Sequence, residues 1–186
     1  MVSSYVLVQG WFPYPFFSTE QFQIGDEWIA DEIEFSRGGA TRLERWNLFR
    51  SGQFVHNRAF DEIPPLGDCV EVMEILDTVT GALELAARMA ERGVLSQYMA
   101  ITFELYGLDG RRLTWLDDQS VVGPHCWCQD ENVSVEKRLG ADELKARRRT
   151  LALEVALDLY SKFGWSTAPK ERLATAQSRR FGPLRA

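Results

Sequence analysis

Features that mark several large protein classes are scarce in this 186-residue chain. It has three cysteines, Cys69, Cys126 and Cys128, an odd and small number that argues against a disulfide framework and fits a reducing compartment. No apolar run approaches the ~20 residues needed to span a bilayer. The first residues also lack the basic-then-apolar order of a secretory signal. The expectation is a cytoplasmic protein with no membrane partner. A glycine-flanked nucleophilic serine, a phosphate-cradling glycine loop with lysine and a dinucleotide fingerprint are all missing, so three common routes to catalysis or nucleotide binding have no carrier. Positive charge is short as well. The chain has 21 Lys and Arg against 27 Asp and Glu, a formal charge of −6, which disfavours phosphate binding by the molecule as a whole.

What is present reads as globular. Hydrophobic residues make 45% and charged residues 26%, close to ordinary averages, and the length suits one domain. Both charge and aromatic content are unevenly spread. From Ser166 to Ala186 five basic residues face Glu171 alone, a net of +4 that leaves −10 for the rest. The first 60 residues hold 13 of the 22 aromatics. The densest piece, Gly10-Trp11-Phe12-Pro13-Tyr14-Pro15-Phe16-Phe17, contains two prolines that oppose a regular ladder or helix. Residues 10–22 therefore read as an aromatic loop. Its rings either fold back over the core or form a partner surface, where Trp, Tyr and Phe are the usual anchors.

Periodicity organises the remainder. Tyr5 to Val8 reads as a short strand. Trp28 to Phe35, Arg42 to Phe49 and Gln53 to Phe60 alternate with a period of two and are separated by Gly38-Gly39 and Ser51-Gly52, the pattern of an antiparallel meander. After Pro64-Pro65 the period becomes helical. Val72, Leu76, Val79, Leu83, Ala86 and Ala90 form one stripe that stops at Gly93, predicting a helix over about 70–92. Met99 to Tyr106 returns to strand character, and Asp109-Gly110 predicts a hairpin onto Arg112–Trp115. Gln119 to Asn132 is irregular, with Val133–Val135 as a last short strand. A second helix is predicted over 141–163, ending at Gly164. The expected fold is α+β: a mainly antiparallel sheet, meander plus hairpin, with two long amphipathic helices on one face. Residues 1–165 form a single domain in this reading, and 166–186 a basic tail.

Few residues carry candidate chemistry. His125-Cys126-Trp127-Cys128 has thiolate and imidazole types suited to zinc, yet only Cys69 and His56 remain to complete a set of four, so buried cysteines beside Trp127 are the simpler account. No cofactor is expected. His56 lies beside Arg58 on a predicted strand with Phe54 on the same face, the setting of a packed histidine. Arg147, Arg148 and Arg149, with Arg179 and Arg180, could contact phosphate; pairing with local acids such as Asp142 and Glu143 explains the first three equally well.

The block Arg45-Trp46-Asn47-Leu48-Phe49-Arg50-Ser51-Gly52-Gln53-Phe54-Val55-His56 resembles a Phe/Tyr-x-Ser-Gly-Gln-Phe-Val/Ile-His strand-turn-strand. That segment follows the nucleic-acid-binding domain of bacterial proteins with a Schlafen-type Alba domain. The similarity extends to Leu85–Ala90, Gly107–Leu113 and Phe163-Gly164-Trp165, covering roughly residues 28–165. It implies an α+β accessory module without the nucleic-acid-binding domain itself, in a bacterial regulatory or antiviral-defence setting.

Three functions follow as expectations. The first is a non-enzymatic adaptor or subunit that binds a protein partner through Trp11, Phe12, Tyr14, Phe16 and Phe17, with the basic tail as a second contact; a homo-oligomer is the other expected partner. The second is nucleic-acid binding through Arg147, Arg148, Arg149, Arg179 and Arg180. The third is a metal- or thiol-dependent enzyme at His125, Cys126 and Cys128.

Overall fold

Alternating residues between Trp28 and Phe49 build two long strands, and two helices of similar length form later in the chain. The computed structural model describes residues 23–26, 28–37, 40–50, 53–58, 68–94, 98–116, 118, 122–123 and 125–182. In chain order the elements are β1 (Gln23–Ile24), β2 (Trp28–Arg37), β3 (Ala40–Phe49), β4 (Phe54–Arg58), β5 (Cys69–Glu71), α1 (Val72–Glu91), β6 (Tyr98–Tyr106), β7 (Arg112–Thr114), β8 (Asn132–Gly140), α2 (Ala141–Lys162) and α3 (Lys170–Phe181). The fold is α+β. The chain divides into two compact units, one made of residues 1–61 and 178–186 and the other of 62–177, with the division falling inside α3.

The first unit holds the meander. β1, β2, β3 and β4 lie side by side in that order, every neighbour antiparallel. Trp46 is buried opposite His56 and stacks on Phe54 at 6.3 Å between ring centroids, and Phe54 stacks on His56 at the same distance. His56 is thus a packed ring in an aromatic row. The predicted strand at Tyr5–Val8 and the aromatic loop at 10–22 lie outside the described residues.

In the second unit α1 starts where Glu71 turns its side chain back to accept the Glu74 amide at 2.8 Å, satisfying one of the donors a helix start leaves over. It ends at Gly93 and α2 ends before Gly164; both glycines take positive φ, +68° and +80°, which permits the chain to leave the helix without strain. The two helices pack against each other antiparallel. The Tyr160 hydroxyl near the end of α2 donates to the Val72 carbonyl at the start of α1, while Arg148 near the start of α2 reaches Glu91 at the end of α1. Val72, Met73, Leu76, Val79 and Leu83 of α1 and Leu144, Leu151, Val155 and Leu159 of α2 are buried in this core.

Three elements differ from the sequence reading. The Asp109-Gly110 turn forms, with the Arg111 amide donating to the Leu108 carbonyl at 2.9 Å, but it does not fold β7 onto β6. Leu108 is buried and its amide is held by the Glu131 carbonyl, so the chain leaves the turn toward β5, which β7 joins in parallel. β6 pairs instead with β8, antiparallel over nine residues from Tyr98↔Gly140 to Tyr106↔Asn132. β8 is far longer than Val133–Val135, because Lys137 takes an inward position and extends to Asp158 of α2 at 2.7 Å. Finally, most of 166–182 is the helix α3, with Leu173 and Gln177 buried.

Candidate functional site

The basic cluster of α2 is spent on holding helices together. Glu84, buried on α1, accepts from Arg148 Nε at 2.9 Å and from Arg149 Nε at 3.1 Å. Arg148 adds contacts to Glu91 at 3.3 Å and to the Lys145 carbonyl at 2.8 Å. The side chains of Glu84, Arg148 and Arg149 are 7%, 16% and 14% exposed, so this triad is an interhelical clamp with little of either cation left to solvent. Arg147 faces outward and pairs with Glu143 at 3.0 Å and Glu154 at 3.1 Å, as helical spacing allows. Arg179 and Arg180 are exposed in the last turn of α3.

The cysteine run is a short extended segment against β7. The Cys126 carbonyl accepts the Leu113 amide, and the Cys128 amide donates to the Arg111 carbonyl, both at 2.9 Å. Residues two apart on an extended chain share a side, so Cys126 and Cys128 are both buried while Trp127 between them is half exposed. Trp127 bridges Arg112, and Arg112 in turn pairs with Cys69, its Nη2 lying 3.7 Å from the Cys69 sulfur. Cys69 therefore sits along the opposite edge of β7 from Cys126 and Cys128, and the three sulfurs do not converge. His125 is exposed. Among the described residues no three His, Cys, Asp or Glu side chains gather as a metal site. Burial pushes the Cys126 thiol up, offset in part by a backbone hydrogen bond to Gly123, which disfavours the nucleophilic thiolate.

A second cluster joins the helices around Tyr160. Its hydroxyl donates to the Val72 carbonyl at 2.8 Å, and its ring meets Trp165 at 5.5 Å between centroids. Trp165 stands edge-on to Trp115 at 6.4 Å, and Arg172 of α3 lies 6.0 Å above Trp115 while pairing with Asp118. Burial first, then Glu71 and Asp77, hold the Tyr160 phenol well above its ordinary value. This is a neutral, structural hydroxyl, with no poise for proton transfer near pH 7.

The β6–β8 ribbon is different, because among the described residues β6 lies at the edge of a two-stranded sheet. Tyr98, Ala100, Thr102, Glu104 and Tyr106 are exposed on its outer face, the two tyrosines at 75% and 64%. Met99, Ile101, Phe103 and Leu105 point inward, yet they are only half-buried, whereas Val133, Val135 and Leu139 beside them on β8 are buried. Among the described residues no strand lies on the far side of β6. Its edge is lightly defended: β6 contains no proline and no lysine, its inward positions carry no charge, and Glu104 is its single charged residue.

Compared with protein-family models, curated proteins and solved structures, the chain matches none. None of its described helices is long and apolar enough to cross a membrane.

The structure thus distributes the sequence-predicted sites unequally. Arg148 and Arg149 are brought together, but on Glu84. Cys126 and Cys128 are brought together inside the fold, apart from Cys69. Trp11, Phe12, Tyr14, Phe16 and Phe17 lie outside the described residues. The open edge of β6 was not singled out from sequence. Its signal is the run Met99-Ala100-Ile101-Thr102-Phe103-Glu104-Leu105, a strand with no proline or lysine and a single charge, Glu104, to discourage further pairing.

Proposed function

We propose that this chain is a non-enzymatic protein-interaction module, a subunit or adaptor of a bacterial regulatory or antiviral-defence assembly. The observation that carries the reading is the edge of β6: nine residues of strand, half-covered apolar side chains and flanking exposed tyrosines. An extended segment added to such an edge gains main-chain hydrogen bonds, and alternate side chains supply specificity. Aromatic rings at the ends of the ladder are the residue types that dominate binding energy at interfaces. Trp11, Phe12, Tyr14, Phe16 and Phe17 enter as a second set of anchors on sequence grounds, and the bacterial and defence setting rests on the resemblance of residues 28–165.

The nucleic-acid alternative loses support from the pairing of Arg147, Arg148 and Arg149 with five acidic or carbonyl acceptors in the fold. The enzyme alternative at His125, Cys126 and Cys128 loses support from the inward, protonated state of Cys126.

The test is affinity capture with immobilised wild-type chain beside Ala100→Glu and a Trp11→Ala/Phe16→Ala double variant, each checked for folding by circular dichroism. Proteins retained by the wild type and lost from either variant support the module. A wild-type chain that retains no protein specifically, while shifting DNA or RNA at low salt, overturns it.

A further inference from the structure

The edge of β6 is complementary to itself. Placing a second β6 antiparallel beside the first, with a two-fold axis at Thr102, pairs Tyr98 with Tyr106, Met99 with Leu105, Ala100 with Glu104 and Ile101 with Phe103, each from opposite copies. This register uses all nine residues of β6, and any other register that keeps the same faces aligned shortens the ladder. It sets the half-buried row Met99, Ile101, Phe103 and Leu105 against its own copy, covering on both sides the apolar surface that β8 leaves open. The outcome is one four-stranded antiparallel sheet in the order β8, β6, β6, β8, with no unpaired β6 edge.

Charge on the outer face fits the same arrangement. Arg138 stands opposite Ala100 within one copy, and Glu104 opposite Ser134. Across the two-fold axis the row therefore reads Ser134, Glu104, then Ala100 and Arg138 of the second copy. Neighbouring strands are about 4.8 Å apart, so the Arg138 and Glu104 backbones lie about 10 Å apart with only an alanine methyl between them. An arginine lying over that methyl reaches the carboxylate. In the isolated chain the Arg138 side chain is 85% exposed and touches Glu136 at 3.3 Å, leaving it available for this contact. Two-fold symmetry makes two such pairs, and no like charges stand directly opposite each other in the register.

We infer that this chain forms a symmetric dimer by pairing β6 with β6 of a second copy, centred on Thr102 and closed by Arg138–Glu104 pairs between copies. The inference rests on the interaction-module reading and names its partner. A two-fold interface of this kind is self-complementary and closes, so it ends at two copies.

The test uses the full chain and four proteins: wild type, Ala100→Glu, the Ala100→Glu/Glu104→Lys double variant and Thr102→Cys. All three positions are exposed, so folding, checked by circular dichroism and thermal midpoint, should be kept. Light scattering should give the wild type a mass twice that of the 21.3 kDa chain. Ala100→Glu places a carboxylate against Glu104 of the other copy and should raise the dimer dissociation constant about tenfold or more. The double variant, which sets the introduced lysine of one copy against the introduced glutamate of the other, should restore it. Thr102→Cys should give a covalent dimer under mild oxidation, since residues directly opposite in an antiparallel pair fall within disulfide reach, while the wild type, with its three buried cysteines, should not. A wild-type chain that stays monomeric, or a dimer indifferent to Ala100→Glu and not crosslinked by Thr102→Cys, overturns the inference. If the monomer still captures another protein and Ala100→Glu abolishes that capture, self-pairing fails and the interaction module stands. If the dimer forms but nothing else is captured, self-pairing stands and the adaptor reading fails.

Discussion

Gln177 Nε2 donates a hydrogen bond of 2.8 Å to Thr80 Oγ1, joining residues 97 positions apart in the chain. Thr80 passes the interaction on by donating to the Leu76 carbonyl at 2.6 Å, and Gln177 also donates to the Arg149 carbonyl at 3.2 Å. One buried amide thus ties α3 to both long helices. Gln177→Ala should cost about 1–2 kcal/mol, because it strands buried polar groups, and Leu173→Ala about 2–5 kcal/mol, because it opens a cavity under the same helix. Urea unfolding of both variants checks this; a tail that merely trailed in solvent would show no change.

The Glu84 clamp makes a sharper contrast. Removing its carboxylate leaves two largely buried guanidinium groups without their acceptor, and Glu84→Ala should cost about 3 kcal/mol or more. Removing Arg147, whose side chain is about half exposed, should cost no more than about 0.5–1 kcal/mol although it breaks two ion pairs. Thermal unfolding of the two variants side by side measures the difference.

Tyr160 should make stability sensitive to alkali. Its folded-state pKa lies above the ordinary 10.0, so its contribution is whole below pH 10 and is lost as pH rises through the folded value. Tyr160→Phe should lose about 0.5–1.5 kcal/mol at pH 7 with the hydrogen bond to Val72. Above pH 10 the gap between the two proteins should narrow. Urea midpoints from pH 8 to pH 11 test the sign.

Thiol labelling reads the cysteine geometry. All three sulfurs are buried, and burial holds Cys126 in the thiol form. A colourless aromatic disulfide reagent should therefore react slowly with the native chain at pH 7 and rapidly with three thiols once it is unfolded. Fast native reaction at Cys126 would revive the nucleophile reading.

The parts of this architecture that sequence made legible are those with local causes. The stripe from Val72 to Ala90 and the glycines at 93 and 164 bounded α1 and α2 to within two residues, because a helix is specified by its own spacing and stops. The meander followed from alternation and two glycine turns. Pairing between distant segments was not legible. Nothing local in Arg112–Thr114 shows that it joins Cys69–Glu71 in parallel rather than folding back on β6. β8 runs past Val133–Val135 through Glu136, Lys137 and Arg138, whose charges carry no local strand signal; Asp158 on α2 receives Lys137. α3 was hidden by its mean polarity, for its buried face is little more than Leu173 and Gln177. The arginines of α2 were visible as a cluster, but the partner that consumes Arg148 and Arg149 lies more than 60 residues away. An open strand edge is a property of what does not pair, which no single segment records.

Residue-resolved hydrogen exchange along β6 probes that edge most directly. In a dilute sample, amides of residues 99–105 should alternate, those facing β8 exchanging slowly and those facing outward as fast as solvated backbone. The fast set should become slow in the concentrated or partner-bound chain. Uniformly slow exchange along β6 in the dilute chain, or an outward set that stays fast in every complex, would contradict an interaction built on this edge.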